Sequence, residues 1–282
     1  MNRLCLALAL ALCPLVVQAQ ERILSIGGSV TEVVYALGQE GRLVGRDTTS
    51  TFPPEAEALP DVGYMRALSP EGVLSVTPDL ILIEAGSGPA ETLATLAGAG
   101  VKTVTVPDGL TPESVSEKIR VVATALGVPQ KGDELVAGLE ARMRVVRDKV
   151  AAQTAPPPRV LFILGNSGGR LTGAGTETAA QAMIELAGGV NALGDFAGYK
   201  ALTDEAIAAA APDVILAMDR GDGGASEGAK SDDEYLSHPA LIHTPAAQAR
   251  RVLRLPGMFL LGFGPRTPEA IEALHAGLFP AA

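Results

Sequence analysis

The chain contains no tryptophan, and only 4 tyrosines and 6 phenylalanines. Each aromatic residue therefore needs a reason for being where it is. The 2 cysteines, Cys5 and Cys13, both fall in an apolar leader, so the chain beyond it has no thiol to bridge, to react or to hold a metal. A chain of this size builds its core without disulfides. Histidine is equally scarce: His238, His243 and His275 all lie near the C-terminus. A three-histidine metal site drawing on both halves of the chain is excluded. There is no basic block and the formal net charge is −10, which argues against nucleic acid and anionic membrane as partners. No G-x-x-x-x-G-K-[ST] phosphate loop occurs, while Gly165-Asn166-Ser167-Gly168-Gly169 has the bare G-x-S-x-G spacing. An exported hydrolase using Ser29 or Ser167 stays open as an alternative. Beyond the leader no run of 18 apolar residues occurs, so the mature chain is expected to be soluble.

The 282 residues are 47% hydrophobic and 19% charged, enough for a sizeable core in one large domain or two modest ones. Residues 1–19 read as a secretory signal peptide: Arg3, an apolar run from Leu4 to Val17, then Val17 and Ala19 at the small-residue cleavage positions. The run is shorter than the ~20 residues that span a bilayer. Leu12 stands before Cys13 where lipid attachment wants a small residue. Loss of Arg3 with the leader takes the net charge from −10 to −11.

Residues 22–26 (RILSI), 43–45, 79–83 (DLILI) and 101–106 read as strands, and 91–97 and 113–126 as helices. Ser29 and Glu32 have capping-box spacing ahead of the apolar face Val30, Val33, Val34 and Leu37. Alternation of strand and helix implies an α/β fold with parallel sheets. Within 131–155, Leu135, Leu139, Met143, Val146 and Val150 repeat at helical spacing, among Glu140, Arg142, Arg144, Arg147, Asp148 and Lys149. Pro156-Pro157-Pro158 ends that helix, and 159–164 (RVLFIL) starts a new strand. Near the end, 261–266 reads as a tight turn into a last helix capped by Thr267, with His275 on its surface.

An internal repeat divides the chain. GYMRALSPEGVLSVTPDLILI (63–83) matches GYKALTDEAIAAAAPDVILA (198–217) with a one-residue gap. Ala67-Leu68 aligns with Ala201-Leu202, Glu71 with Glu205, and Pro78-Asp79 with Pro212-Asp213; Ser69 and Thr203 stand as helix caps. The organisation expected is a leader (1–19), an N-terminal α/β lobe (20–130), a single connecting helix (131–155) and a similar C-terminal lobe (156–282). The cleft between such lobes is the default ligand site.

The stretch Gly-Tyr-Met-Arg-Ala-Leu-Ser-x-Glu-Gly at 63–72 resembles the periplasmic haemin-binding proteins of bacterial ABC importers. LPGMFLLGFGPRTPEA (255–270), GSVTEVVYALG (28–38) and Gly-Thr-Glu-Thr (175–178) extend the resemblance over essentially the whole mature chain. It implies two α/β lobes joined by one helix with little hinge motion, a ferric haem b in the cleft, and no catalysis. It implies a monomer in the periplasm that docks on an inner-membrane ABC permease with its ATPase. Tyr64 becomes the axial ligand to iron and Arg66 its supporting cation. Chemistry agrees, since ferric iron favours a hard phenolate oxygen. A phenol ordinarily ionises near 10, so iron and a neighbouring cation must favour the anion. Arg220 is expected at a haem propionate, and Met258 and Phe259 on the porphyrin face. The resemblance makes Glu71 and Glu205 the docking pair for permease arginines. Some family members carry a histidine near the strand that here ends at 164–169. None stands there in this chain, so one haem per chain with five-coordinate iron is expected. The same fold could instead take cobalamin or a ferric siderophore.

Overall fold

The computed structural model describes residues 22–219 and 232–280. The leader and Arg220, with the glycine-rich segment after it, lie outside the described residues.

The first lobe runs β1 (Ile23–Ile26), α1 (Gly28–Ala36), β2 (Leu43–Arg46), α2 (Pro70–Ser75), β3 (Leu80–Glu84), α3 (Ala90–Gly98), β4 (Lys102–Val106) and α4 (Pro112–Ala125). Its sheet has the order β2-β1-β3-β4 with every pair parallel. Helices cover both faces, so β1 and β3 are buried along their whole length. Helix α4 begins with a reciprocal box: Thr111 Oγ1 accepts from the Ser114 N–H at 3.2 Å and Ser114 Oγ accepts from the Thr111 N–H at 3.0 Å. Thr111→Ala is expected to lower stability by about 1 kcal/mol, read as an earlier urea midpoint.

Helix α5 (Pro129–Ala151) then carries the chain across. At 23 residues it is about 35 Å long. It starts at Pro129, two residues ahead of the expected boundary at 131, because proline is favoured at the first helical position.

The second lobe runs β5 (Arg159–Ser167), β6 (Arg170–Ala174), α6 (Ala179–Leu186), β7 (Val190–Asn191), β8 (Tyr199–Ala201), α7 (Asp204–Ala210), β9 (Val214–Asp219), α8 (Asp232–Leu236), α9 (Pro245–Gln248), β10 (Val252–Pro256), α10 (Gly257–Leu261) and α11 (Thr267–Leu278). The order is β10-β9-β5-β6-β8, with β7 beside β5. Strands β5, β7, β9 and β10 are parallel, whereas β6 runs antiparallel to both its neighbours, β5 and β8. The reversal is a two-residue hairpin at Gly168-Gly169, with φ of 59° and 83°. Positive φ at both central residues is what a turn matching the strand twist requires.

The repeat is a repeat of structure. The Arg22 N–H donates to Asp79 Oδ2 at 2.9 Å, and the Arg159 N–H to Asp213 Oδ2 at 2.8 Å. Thr77 and Ala211, each just before the Pro-Asp pair, both take left-handed φ, 43° and 40°. Ser69 caps α2 by accepting from the Gly72 N–H, and Thr203 caps α7 by accepting from the Ala206 N–H.

Three local expectations are corrected. The Ser29–Glu32 capping box does not form, because α1 starts at Gly28 with Gly27 (φ 109°) as its cap. Ser29 is instead buried, donating its hydroxyl proton to Glu84 and accepting from Lys118 Nζ at 2.6 Å. Lys118 is itself only 1% exposed, so it claims every nearby acceptor. Thr267 does not cap α11; it is the first helical residue and donates to the Gly264 carbonyl at 2.8 Å. His275 is buried rather than on the surface, because it shares an inward helix face with Ile271, Leu274 and Leu278. Its Nδ1 lies 3.0 Å from the Ala187 carbonyl.

One hydrophobic core runs through both lobes. It links Val30, Val33 and Leu82 of the first to Phe162, Leu216, Phe263 and Leu274 of the second, by way of Val122, Leu139 and Val146. Among the described residues no helix is long and apolar enough to cross a membrane.

Candidate ligand-binding cleft

Tyr64 sits on a loop that is pinned from several sides. The Val62 N–H donates to the Arg46 carbonyl at 2.9 Å, so the loop continues the edge of β2. Asp61 accepts from Arg46 Nη1 at 3.0 Å and from the Gly63 N–H at 2.8 Å. Gly63 then turns the chain at φ 104°, a left-handed value that glycine adopts without strain. Met65 and Leu68 plunge into the core, and backbone hydrogen bonds tie both to Gly88. The residues between the anchors point the other way. Tyr64 is 43% exposed, and Arg66 Nη1 donates to its phenol oxygen at 2.9 Å. A guanidinium does not deprotonate in a protein, so this oxygen faces a permanent cation.

The repeat places a second phenol in the other lobe. Gly198-Tyr199 corresponds to Gly63-Tyr64, and Gly198 also has positive φ, at 78°. Tyr199 is 40% exposed and meets the buried Phe162 edge-on at 6.4 Å. Burial pushes its pKa up from the ordinary value. The Ala180 N–H in the first turn of α6, the charge of Arg66 and the Thr178 hydroxyl pull it back. Arg66 is thus near enough to act on phenols of both lobes. Tyr199 is absent from the site residues expected above, although the aligned Gly-Tyr pairs carried the signal.

Met258 and Phe259 lie on α10, at the seam between lobes. A Cβ on Gly28 of α1 would lie 2.7 Å from the Met258 methyl, so that methyl fills the space glycine leaves. The Phe259 ring lies 5.1 Å from the guanidinium carbon of Arg266. Arg220 cannot be placed, since it lies outside the described residues.

Glu71 and Glu205 occupy the same first-turn position on α2 and α7, and both are exposed. Hydrogen bonds from its own backbone N–H and from Thr203 hold the Glu205 carboxyl below the ordinary value. Of the two serines open to a hydrolytic reading, Ser29 is 1% exposed with its hydroxyl committed to Glu84 and Lys118. Ser167 ends β5 beside the glycine hairpin.

The chain belongs to the periplasmic binding protein family, whose model matches residues 23–258. Its solved neighbours include the periplasmic heme-binding protein BhuT in complex with two hemes. That protein is 46% identical, with 92% of this chain and 97% of that one covered and a TM-score of 0.85. The periplasmic heme-binding protein RhuT from Roseiflexus sp. RS-1, in apo form, is 40% identical, with 92% and 98% covered and a TM-score of 0.85. An uncharacterized ABC transporter substrate-binding lipoprotein of Bacillus subtilis is 28% identical over 262 residues, 92% of this chain and 80% of the relative. A vitamin B12-binding protein of Yersinia pseudotuberculosis is 26% identical over 193 residues, 68% and 67% respectively. The two-lobed α/β fold and the family resemblance expected from 63–72 and 255–270 therefore hold.

Proposed function

We propose that this protein is an exported carrier that holds ferric haem in its cleft through Tyr64 and delivers it to an inner-membrane ABC permease and its ATPase. One observation carries this reading: an exposed phenol, on a loop held rigid by buried neighbours, accepts a hydrogen bond from an arginine two residues on. Phenolate is a hard donor suited to ferric iron, and Arg66 donates a hydrogen bond to that same oxygen. Neighbours that bind heme at 46% and 40% identity support the ligand class. No bond is made or broken, so the protein acts as a carrier and not as an enzyme. The apolar leader supports a periplasmic location, and the carrier is read as a monomer.

The test is a visible-absorption titration of the mature protein with haemin, and in parallel with cyanocobalamin. A saturating high-spin, tyrosinate-type spectrum with haemin is the expected result. Tight cobalamin binding with no specific haemin spectrum would move the protein to the ligand of its vitamin B12-binding relatives. Arg66→Ala is expected to weaken haemin binding by about 10- to 100-fold, the usual effect of losing a partner that orients a ligand. The tyrosinate spectrum should survive at higher haemin concentration.

The expected stoichiometry is one five-coordinate haem b per chain, with Arg220, Met258 and Phe259 contributing to its surroundings. Tyr199 favours a second reading, in which each lobe offers one phenol and the cleft holds two haems, as in the two-heme neighbour. The titration separates them. A break at one equivalent supports the first, and a break at two equivalents that falls to one in Tyr199→Phe supports the second.

A further inference from the structure

The glycine-rich turn before α11 is the part of the 255–270 motif that the haem reading leaves unused. It packs against α1 of the first lobe. Phe263 has a left-handed φ of 45°, rare for a bulky residue, while its ring is buried at 2% exposure. The turn brings Gly264 against α1: a Cβ there would lie 3.4 Å from Ser29 Cβ and from Glu32 Oε2. Next to it, Arg266 of the second lobe grips Glu32 of the first with both arms of its guanidinium. Nε donates to Oε2 at 2.9 Å and Nη2 to Oε1 at 2.5 Å, across 234 positions of sequence. The guanidinium carbon lies 3.5 Å from the centroid of Phe52 in the first lobe and 5.1 Å from that of Phe259 in the second. Lys118 Nζ, held by Glu84 at 2.6 Å, also reaches the Gly262 carbonyl at 3.4 Å.

We infer that the Glu32–Arg266 pair, clasped between Phe52 and Phe259, is a strut that fixes the spacing of the lobes and thereby sets how long the cleft retains its haem. Glu32 and Arg266 are positioning residues: they act on the cleft through lobe geometry and not by touching iron. The function clause rests on the haem reading; the spacing clause does not. A bidentate, planar contact holds orientation as well as distance. The connecting helix α5 and the shared core also join the lobes, and the pair adds a fixed orientation at the seam.

Burial is the largest influence on Glu32 and raises its pKa above the ordinary carboxylate value, against the pull of Arg266. The native state therefore binds that proton more readily than the unfolded chain does. Glu32 contributes stability below its ordinary pKa that is lost as pH rises towards neutrality. Glu32→Gln removes the charge and keeps the size of the side chain, and Phe52→Ala, at a residue 38% exposed, gives a second variant that leaves no buried charge unpaired.

The experiment places nitroxide labels on Ala97→Cys of α3 and Ala208→Cys of α7, both exposed, in the mature chain, which has no cysteine of its own. Interlobe distances are measured by pulsed dipolar spectroscopy without haem. Haemin release to excess apomyoglobin is timed separately. In Glu32→Gln and Arg266→Ala the distance distribution should broaden, and release should quicken by about 2- to 30-fold, as for mutations along a coupling network. Phe52→Ala should move both readouts the same way, and the tyrosinate spectrum should not change. Glu272→Gln, which breaks only the exposed Lys149–Glu272 pair of α5 and α11, should alter neither readout. Distances as narrow as in wild type would overturn the strut, as would an equal effect of Glu272→Gln. Faster release with unchanged distances would show that the pair contacts haem directly, and would overturn it too. A wild type that takes no haemin would sink the haem reading alone, because the distances still judge the strut.

Discussion

Tyr64→Phe should abolish the tyrosinate spectrum of the haemin complex and weaken binding by at least about 100-fold, beyond what loss of a merely supporting residue brings about. The substitution removes one oxygen and leaves the ring. Because Tyr64 is 43% exposed, the fold should not notice: stability should stay within about 0.5 kcal/mol of wild type. Arg66 then faces a ring edge with no acceptor, so its cation has nothing to support at the iron. The comparison with Arg66→Ala is the informative part. If the phenolate is the ligand and the guanidinium its stabiliser, Tyr64→Phe erases the spectral signature while Arg66→Ala only shifts the concentration at which it appears. Identical spectra in Tyr64→Phe and wild type would remove Tyr64 from the iron. Tyr199→Phe would then be the next variant to titrate.

The double variant Glu71→Ala, Glu205→Ala should leave haemin binding unchanged and cut haem transport into proteoliposomes bearing the permease and its ATPase by more than about 100-fold. Truncating one partner of a hydrogen-bonded charge pair buried at an interface speeds dissociation, and two such losses compound. The two residues hold matched positions on matched helices, one per lobe, so they offer a permease two carboxylates at a separation set by the fold. Hydrogen bonds from its backbone and Thr203 hold the Glu205 carboxyl below its ordinary value. Its charge should therefore persist on mild acidification. Unaltered transport by the double variant would remove the docking role.

Much of this molecule is readable along the chain wherever the determining interactions are local. The periodicity of Leu135, Leu139, Met143, Val146 and Val150 marks α5, since a helix face repeats at fixed spacing whatever surrounds it. Ser69 and Thr203 mark the starts of α2 and α7, since a cap bonds to a backbone group only three residues away. The Gly168-Gly169 turn was not read from the sequence, and its consequence, two antiparallel pairings in an otherwise parallel sheet, needs the partner strands to be seen. Ser29 shows the limit. Its capping-box spacing is genuine, but Glu84 and Lys118, 55 and 89 positions away, compete for the same hydroxyl and win. His275 likewise reads as polar until Ala187 supplies a carbonyl for its ring nitrogen.

The sequence by itself determined the α/β class, the doubling of the lobes, the helix that joins them and the Tyr64–Arg66 pair, because each is written in spacings of a few residues or in a direct repeat. Only the tertiary structure decided that Tyr199 stands opposite, within reach of the charge of Arg66, and that Glu32 meets Arg266 across the seam. Those pairings join residues more than a hundred positions apart. No local spacing encodes them, because a long chain can bring its distant parts together in many ways, and only the packing of a core shared by both lobes selects one.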